Sequence, residues 1–328
     1  MMVLMMVLRV IRFPIAIMQA WIYSAVAHSL LVGVEGAVTK APVWSASTTS
    51  ESLTGDVIDY PGGWILPQRN QCVDICTKSS PTPTCFVNTT DCIDKKQEPG
   101  DYDTLILEQI FLPQYCRDLL DGIDSTVAHR PVAPYPRGIR CLAPVRSILS
   151  IHGLWPNYDG GYPSCCNVSS VIRNNPFDPL AFRAQHPRLV RSMAERWSDP
   201  TQPRDDALCE LWNHEFQKHG LCYASAGEDF NTAAARYFTA AMAVADTVGA
   251  ATSQIHAWAA TESAIVSGAD IAQLYRRGVQ IDCTNGQLAR IRTCWAKDSS
   301  QVDCPAPGSC NLAASIRLDA YAPPHPFE

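Results

Sequence analysis

The chain has no surplus of basic residues. Lys and Arg number 26 against 32 Asp and Glu, for a formal charge of −6. That excludes a broad phosphate-binding surface as the way it holds a partner. Charged residues are sparse altogether, at 18% against 47% hydrophobic, a composition that builds a packed core and does not leave the chain disordered. Internal repeats are absent. So is a zinc signature: the 14 cysteines are irregularly spaced, no two CxxC motifs frame a site, and no HExxH occurs. Beyond the N-terminal region no segment is long and apolar enough to span a bilayer.

The N-terminus does carry an apolar run. Arg9 and Arg12 precede Phe13 to Val26, which ends in the small-x-small pattern Ala25-Val26-Ala27. This reads as a secretory signal peptide over residues 1–27; its removal leaves a more acidic chain with no stable membrane association. An even number of irregularly spaced cysteines agrees, because it favours disulfides and an oxidising compartment. Residues 28–100 read as an extension rich in Ser, Thr, Pro and Gly. Its four cysteines, Cys72, Cys76, Cys85 and Cys92, are expected to close a small knot on themselves, dispensable for any chemistry. Asn88 and Asn167 head N-x-S/T sequons suited to surface loops.

From Asp101 the pattern changes, and residues 101–328 read as the catalytic domain. Leu105-Ile106-Leu107 sits in a strand-like run ended by Pro113 and Cys116. Ser147 to His152 alternates as a strand that places His152 near its end, before a turn at Gly153. Turn residues make 157–163 a loop. Leu189, Met193 and Trp197 recur at helical spacing, Phe230 to Ala245 forms a further helix, and Ile271 to Arg277 a shorter one. Val279–Cys283, Arg290–Trp295 and Ser315–Leu318 read as strands. Strands and helices do not alternate regularly, which predicts an α+β fold.

Two stretches carry the chemistry: Ile151-His152-Gly153-Leu154-Trp155-Pro156, and Leu211-Trp212-Asn213-His214-Glu215-Phe216-Gln217-Lys218-His219-Gly220-Leu221-Cys222. On a helix turning about 100° per residue, His214, Glu215, Lys218 and His219 share an arc of roughly 140°. Lys218 follows His214 by four and His219 follows Glu215 by four, so each pair stacks on one face. Burying two imidazoles, a carboxylate and an ammonium together is costly without a purpose. Zinc binding fits poorly, since the histidines are five apart. A satisfied structural role suits His129, His186, His256 and His325, which stand alone. Acid/base catalysis suits the cluster: one imidazole takes a proton from a nucleophile, another gives one to a leaving group, and the cationic groups stabilise added negative charge. A phosphodiester attacked by its own 2′-hydroxyl needs those parts and neither metal nor cofactor.

With these residues the chain resembles the ribonuclease T2 family. The signature His-Gly-Leu-Trp-Pro is complete at His152–Pro156. The second signature matches at Trp212, His214, Glu215, Lys218, His219, Gly220 and Cys222, and departs at Leu211, Phe216 and Leu221. The resemblance covers roughly Asp101 to the C-terminus. It implies a mainly antiparallel central sheet packed with helices and rich in disulfides. It implies a monomeric, metal-independent endoribonuclease acting on single-stranded RNA, inert to DNA, that releases 2′,3′-cyclic phosphates and then 3′-phosphates. His219 would be the general base and His152 the general acid, with His214, Glu215 and Lys218 on the phosphate. Trp155, Asn157, Tyr162 and Trp212 would contact the substrate. The implied disulfides are Cys116–Cys141, Cys166–Cys222, Cys283–Cys310 and Cys294–Cys304, with Cys165 and Cys209 left to pair near the active helix. Secretion, or delivery to a vacuole or lysosome, follows. The rival from another class is a non-catalytic secreted binding protein on the same scaffold.

Overall fold

The computed structural model describes residues 71–76, 80, 82–87, 89–123, 134–135, 138–167, 177–202, 207–223, 228–261 and 264–324. The expected signal peptide, Asn88, His129 and His325 lie outside them. All described residues belong to one compact unit, Leu53–Glu328.

The first described elements are a short strand β1 (Thr84–Cys85) and one helical turn α1 (Thr90–Ile93). β2 (Thr104–Phe111) follows and hands the chain directly to helix α2 (Leu112–Leu120). Pro113 falls in the first turn of α2, where a missing N–H and a fixed φ are tolerated. It therefore ends the strand as expected while opening a helix the sequence reading did not assign. β3 (Leu149–Asn157) and β4 (Gly161–Tyr162) come next, then helices α3 (Pro179–Gln185) and α4 (Pro187–Arg196). Helix α5 spans the second signature in four consecutive segments, Leu208–Trp212, Asn213–Glu215, Phe216–Gly220 and Leu221–Tyr223. α6 (Phe230–Thr247), α7 (Gly249–Ala259), β5 (Ile265–Ser267), α8 (Gly268–Gln273), β6 (Gln280–Thr284), β7 (Gln287–Ala296), β8 (Gln301–Val302) and β9 (Ser315–Arg317) complete the order.

The seven-stranded sheet runs β3-β2-β7-β9-β5, with β6 and β8 also on β7. Every pairing is antiparallel except that of β7 with β9, so the α+β reading holds. β3 is longer than expected. It carries on through Gly153 to Asn157, because residues 153–157 keep pairing with β2. His152 thus sits inside the strand and not at its end.

Helices α5 and α6 pack against the sheet through aromatic side chains. Phe216 of α5 lies 5.2 Å from Phe230, 6.2 Å from Tyr237 and 6.1 Å from Phe238, ring centre to ring centre. Removing a ring buried this fully costs about 3–5 kcal/mol. Gly220 lies where the two helices meet; a Cβ there would strike the Phe216 and Tyr237 rings. Tyr237 then reaches β3, where its hydroxyl donates to the Leu154 carbonyl at 3.0 Å.

The four implied disulfides are present, and Cys85–Cys92 closes a small loop in the extension. The other pairings differ from expectation. Cys165 and Cys209 do not pair with each other: Cys72 bonds Cys209 and Cys76 bonds Cys165. The extension is therefore not a knot closed on itself. Its residues 72–76 run beside α5, where the Asn213 and Gln217 side-chain amides donate to the Val73 carbonyl at 3.0 and 2.9 Å. Local spacing favoured four nearby cysteines pairing together, but these hydrogen bonds and two long-range bridges compete with that and win.

Candidate active site

His152 sits where β3 bulges from β2. Gly153 pairs with Glu108 and Ile151 with Gln109, leaving His152 as the extra residue. Such a bulge bends the strand and re-aims the side chain it frees. Two hydrogen bonds fix the result. The Trp197 indole donates to the His152 carbonyl at 2.7 Å, and His152 Nδ1 lies 2.8 Å from Glu108 Oε1.

Glu108 is fully buried. Burial alone pushes its carboxyl up. The opposing charge of Arg292, the hydrogen bond and charge of His152, and Arg290 outweigh that and hold it at about 2. Arg292 Nε donates to Glu108 Oε2 at 2.6 Å. An ionised carboxylate can only accept, so His152 Nδ1 carries a proton and Nε2 faces the pocket. There Nε2 lies 3.5 Å from Glu215 Oε1, and Glu215 Oε2 accepts from the Trp155 indole at 2.7 Å. Gly153 is required beneath this bond, since a Cβ would collide with both Glu215 Oε2 and Trp155 Nε1.

Glu215, His214, Lys218 and His219 come from α5. Two of its segments, including Phe216–Gly220, have the wider π-helical turn, a local form often found at functional sites. A wider turn brings residues five apart closer in azimuth than an ideal α-helix does. His214 and His219 accordingly line the same pocket. Burial raises the Glu215 carboxyl above the ordinary carboxylate range, against the lowering by His152, the Trp155 indole and Lys218; Glu108 raises it further. Cys166–Cys222 ties the end of α5 to the chain that follows β4. Closing a loop of that separation is worth about 4 kcal/mol in the entropic account.

His152, His214, Glu215, Lys218 and His219 thus meet in one pocket, together with Trp155, Asn157 and Tyr162. Trp212 does not join them: it is buried, and its indole donates to the Trp197 carbonyl at 2.8 Å. A tryptophan inside a signature invited a substrate-facing reading, yet its place on α5 turns it into the core. Three lining residues were missed, namely Phe86, Ile106 and Arg292, and so was Glu108 behind His152. A carboxylate in the apolar run of β2 was the available signal for Glu108, since it needs a buried partner. His256 is structural as expected, with Nε2 2.9 Å from the Leu149 amide nitrogen. Asn167 is exposed, as a sequon requires. Among the described residues no group of three or more His, Cys, Asp or Glu is arranged to hold a metal ion, and no helix is long and apolar enough to cross a membrane.

Three imidazoles, a carboxyl and an ammonium around one pocket can move two protons across a bound phosphodiester. The model of the Ribonuclease T2 family matches residues 102–304. The chain belongs to the ribonuclease T2 family. Ribonuclease DdI of Dictyostelium discoideum is 26% identical over 252 residues, 71% of this chain and 92% of that protein. The Caenorhabditis elegans ribonuclease T2 protein rnst-2 is 29% identical over 54% of this chain and 64% of its own. Intracellular ribonuclease LX of Solanum lycopersicum is 38% identical, but over only 23% of this chain and 28% of that protein. Among solved structures, trichomaglin, described as an S-like ribonuclease, is 19% identical with a TM-score of 0.46, covering 68% of this chain and 100% of its own. A variant of RNase MC1 in complex with 5′-UMP is 20% identical with a TM-score of 0.45, covering 66% of this chain and 97% of that one. Every pocket residue of this T2 chain except Phe86 falls within the family match.

Proposed function

We propose that the protein is an endoribonuclease that cleaves single-stranded RNA by transphosphorylation without a metal ion. The observation that carries this reading is the convergence of His152 and His219 on one pocket with Glu215 and Lys218. His219 removes the proton of a 2′-hydroxyl, whose oxygen attacks the adjacent phosphorus. His152 Nε2 gives its proton to the departing 5′-oxygen. The products are a 2′,3′-cyclic phosphate and a 5′-hydroxyl. Water later opens the ring with the two roles reversed, leaving a 3′-phosphate. His214 and Lys218 stabilise the charge on phosphorus oxygens. Glu215, raised by burial, is neutral in acid and then donates to a phosphate oxygen instead of repelling it. DNA has no 2′-hydroxyl and stays intact.

One imidazole must be neutral while the other is protonated, which gives a bell-shaped and acidic pH profile. Residues 101–328 act as the catalytic domain. The protein acts as a monomer; the signal-like segment at 1–27, the exposed sequon at Asn167 and the seven disulfides support its routing through the secretory pathway, to the outside or to a vacuole or lysosome. The test is cleavage of an RNA oligonucleotide in the presence of EDTA, with products identified by mass. Cyclic phosphate termini with undiminished rate are expected. Activity lost with EDTA and restored by zinc or magnesium refutes the mechanism.

A further inference from the structure

The N-terminal segment that precedes the family match reaches the pocket. Phe86 lines it, and the residue is 64% exposed. A single exposed phenylalanine is ordinary in itself, but this one is held in place from several sides. β1 pairs with β4, matching Thr84 to Tyr162 and Cys85 to Gly161. The Phe86 amide donates to the Gly160 carbonyl at 2.7 Å. Cys85–Cys92 closes the loop that carries the ring. The receiving turn is shaped for this contact. Gly160 has φ of +80°, and a Cβ on Gly161 would collide with the Thr84 carbonyl and the Cys92 sulfur. Further along, the Gln97 side chain donates to the Ser80 carbonyl at 3.1 Å and accepts from the Ser164 amide at 2.8 Å.

Phe86 also ends a row of rings. Trp155 and His219 lie 5.3 Å apart, His219 and Tyr162 6.2 Å, and Tyr162 and Phe86 5.6 Å. From the proposed general base His219 the row runs outward through Tyr162 to the exposed Phe86. A ring left mostly in water contributes little to the core, so packing does not account for its place. A sequence of aromatic faces beside a phosphate site is what unstacked bases bind to.

We infer that Phe86 is a substrate-binding residue on which the base of the nucleotide at His219, the one supplying the 2′-hydroxyl, stacks. This inference rests on the ribonuclease reading for its kinetic test, and a binding test stands apart from it. Stacking of one base on one aromatic ring is worth about tenfold in affinity or somewhat more. The comparison is of wild type, Phe86→Ala, Phe86→Leu and Phe86→Trp, each checked for an unchanged thermal midpoint. A 2′,3′-cyclic mononucleotide is the substrate, because it carries that base alone, and a 3′-mononucleotide is titrated calorimetrically. KM and the dissociation constant should both rise about tenfold for Phe86→Ala, with kcat held. Phe86→Trp should restore both, and Phe86→Leu should not. Wild-type KM and affinity in Phe86→Ala, or full recovery with Phe86→Leu, overturn the stacking role. A wild type that binds the mononucleotide through Phe86 yet cleaves nothing upholds the stacking role and sinks the ribonuclease reading instead.

Discussion

Glu108→Gln isolates what a buried carboxylate does for His152. Glu108 accepts from His152 Nδ1 at 2.8 Å and from Arg292 at 2.6 Å, and its carboxyl is held at about 2 against an ordinary 4.5. Arg292, His152 and Arg290 all favour the charged form and together outweigh the burial that opposes it. One opposite charge at this distance shifts a titrating partner by about one unit or more. By reciprocity the Glu108 carboxylate stabilises the His152 imidazolium. Glutamine keeps the shape and an acceptor oxygen but removes the charge. If His152 is the general acid, it must be protonated to act, and its deprotonation sets the alkaline limb of the kcat/KM profile. That limb is expected to move about one pH unit toward acid in Glu108→Gln, while the acidic limb, set by the general base, stays. At the wild-type optimum the loss should be modest, and it should grow with pH.

The assay is kcat/KM on one dinucleotide at half-unit pH steps. An unmoved alkaline limb with a uniform drop in rate would show that Glu108 serves only as structure, and the reasoning about charge fails. A movement toward alkali contradicts it outright. Stability offers a second readout. A carboxyl depressed in the folded state contributes stability present above its unfolded value of about 4.5 and lost as pH falls through about 2. The acid-induced unfolding of wild type between those values should flatten in the variant, which is also less stable at neutral pH because Arg292 loses its nearer carboxylate and keeps Asp282 at 3.8 Å.

Further outcomes are expected. His152→Ala and His219→Ala should each lose at least ~10²-fold in turnover, the double variant little more, and Lys218→Arg should retain more activity than Lys218→Ala, all on one dinucleotide with circular dichroism as the folding control. Near-normal turnover in His219→Ala removes the proposed base. Gly153→Ala should displace both Glu215 Oε2 and Trp155 Nε1 and cost on the order of 10²-fold in kcat/KM; a near-silent substitution would mean that their hydrogen bond does not matter. Cys76→Ser/Cys165→Ser removes a bridge across 89 residues and should lower unfolding stability by up to ~4 kcal/mol in urea titrations; an unchanged midpoint would show the segment holds without it.

How legible this was differs by residue. The five groups from two signatures were readable because their chemistry is encoded in short spacing. The α+β class followed from the irregular order of strands and helices. Glu108 was not readable as a partner of His152, because that contact depends on a bulge at one point in the β2/β3 register, and Arg292 lies far along the chain on β7. The shared pocket of His214 and His219 was less readable, because a uniform 3.6-residue turn separates residues five apart, whereas Phe216–Gly220 has the wider turn. Phe86 was hidden by a wrong inference about cysteines: nothing in local spacing says that Cys72 and Cys76 leave their neighbours for Cys209 and Cys165. Trp212 erred the other way, since a signature position need not face the ligand.

Glu215 tests whether the polar cluster exists for catalysis or for folding. Leu211, Phe216 and Leu221, the three departures from the family signature, are all buried apolar side chains, so they bear on packing. The cluster itself is different: Glu108, His152, His214, Glu215 and His219 are all at or below 5% exposure. Buried ionic networks rarely add net stability over apolar replacements, and a non-catalytic binder would gain nothing from one in this pocket. The sign for Glu215 is clear. Its carboxyl is raised in the folded state by burial, so folding favours the protonated form, and stability is lost as pH rises through the folded value. Glu215→Gln cannot ionise and keeps an oxygen for the Trp155 indole. It should therefore match wild type in thermal midpoint near pH 4, exceed it at pH 7.5, and still lose turnover at both. A site that costs stability where it is ionised and is needed for rate is the pattern of a functional residue. Should Glu215→Gln instead melt below wild type at both pH values while keeping full activity, the carboxyl is structural and the catalytic account of this pocket is wrong.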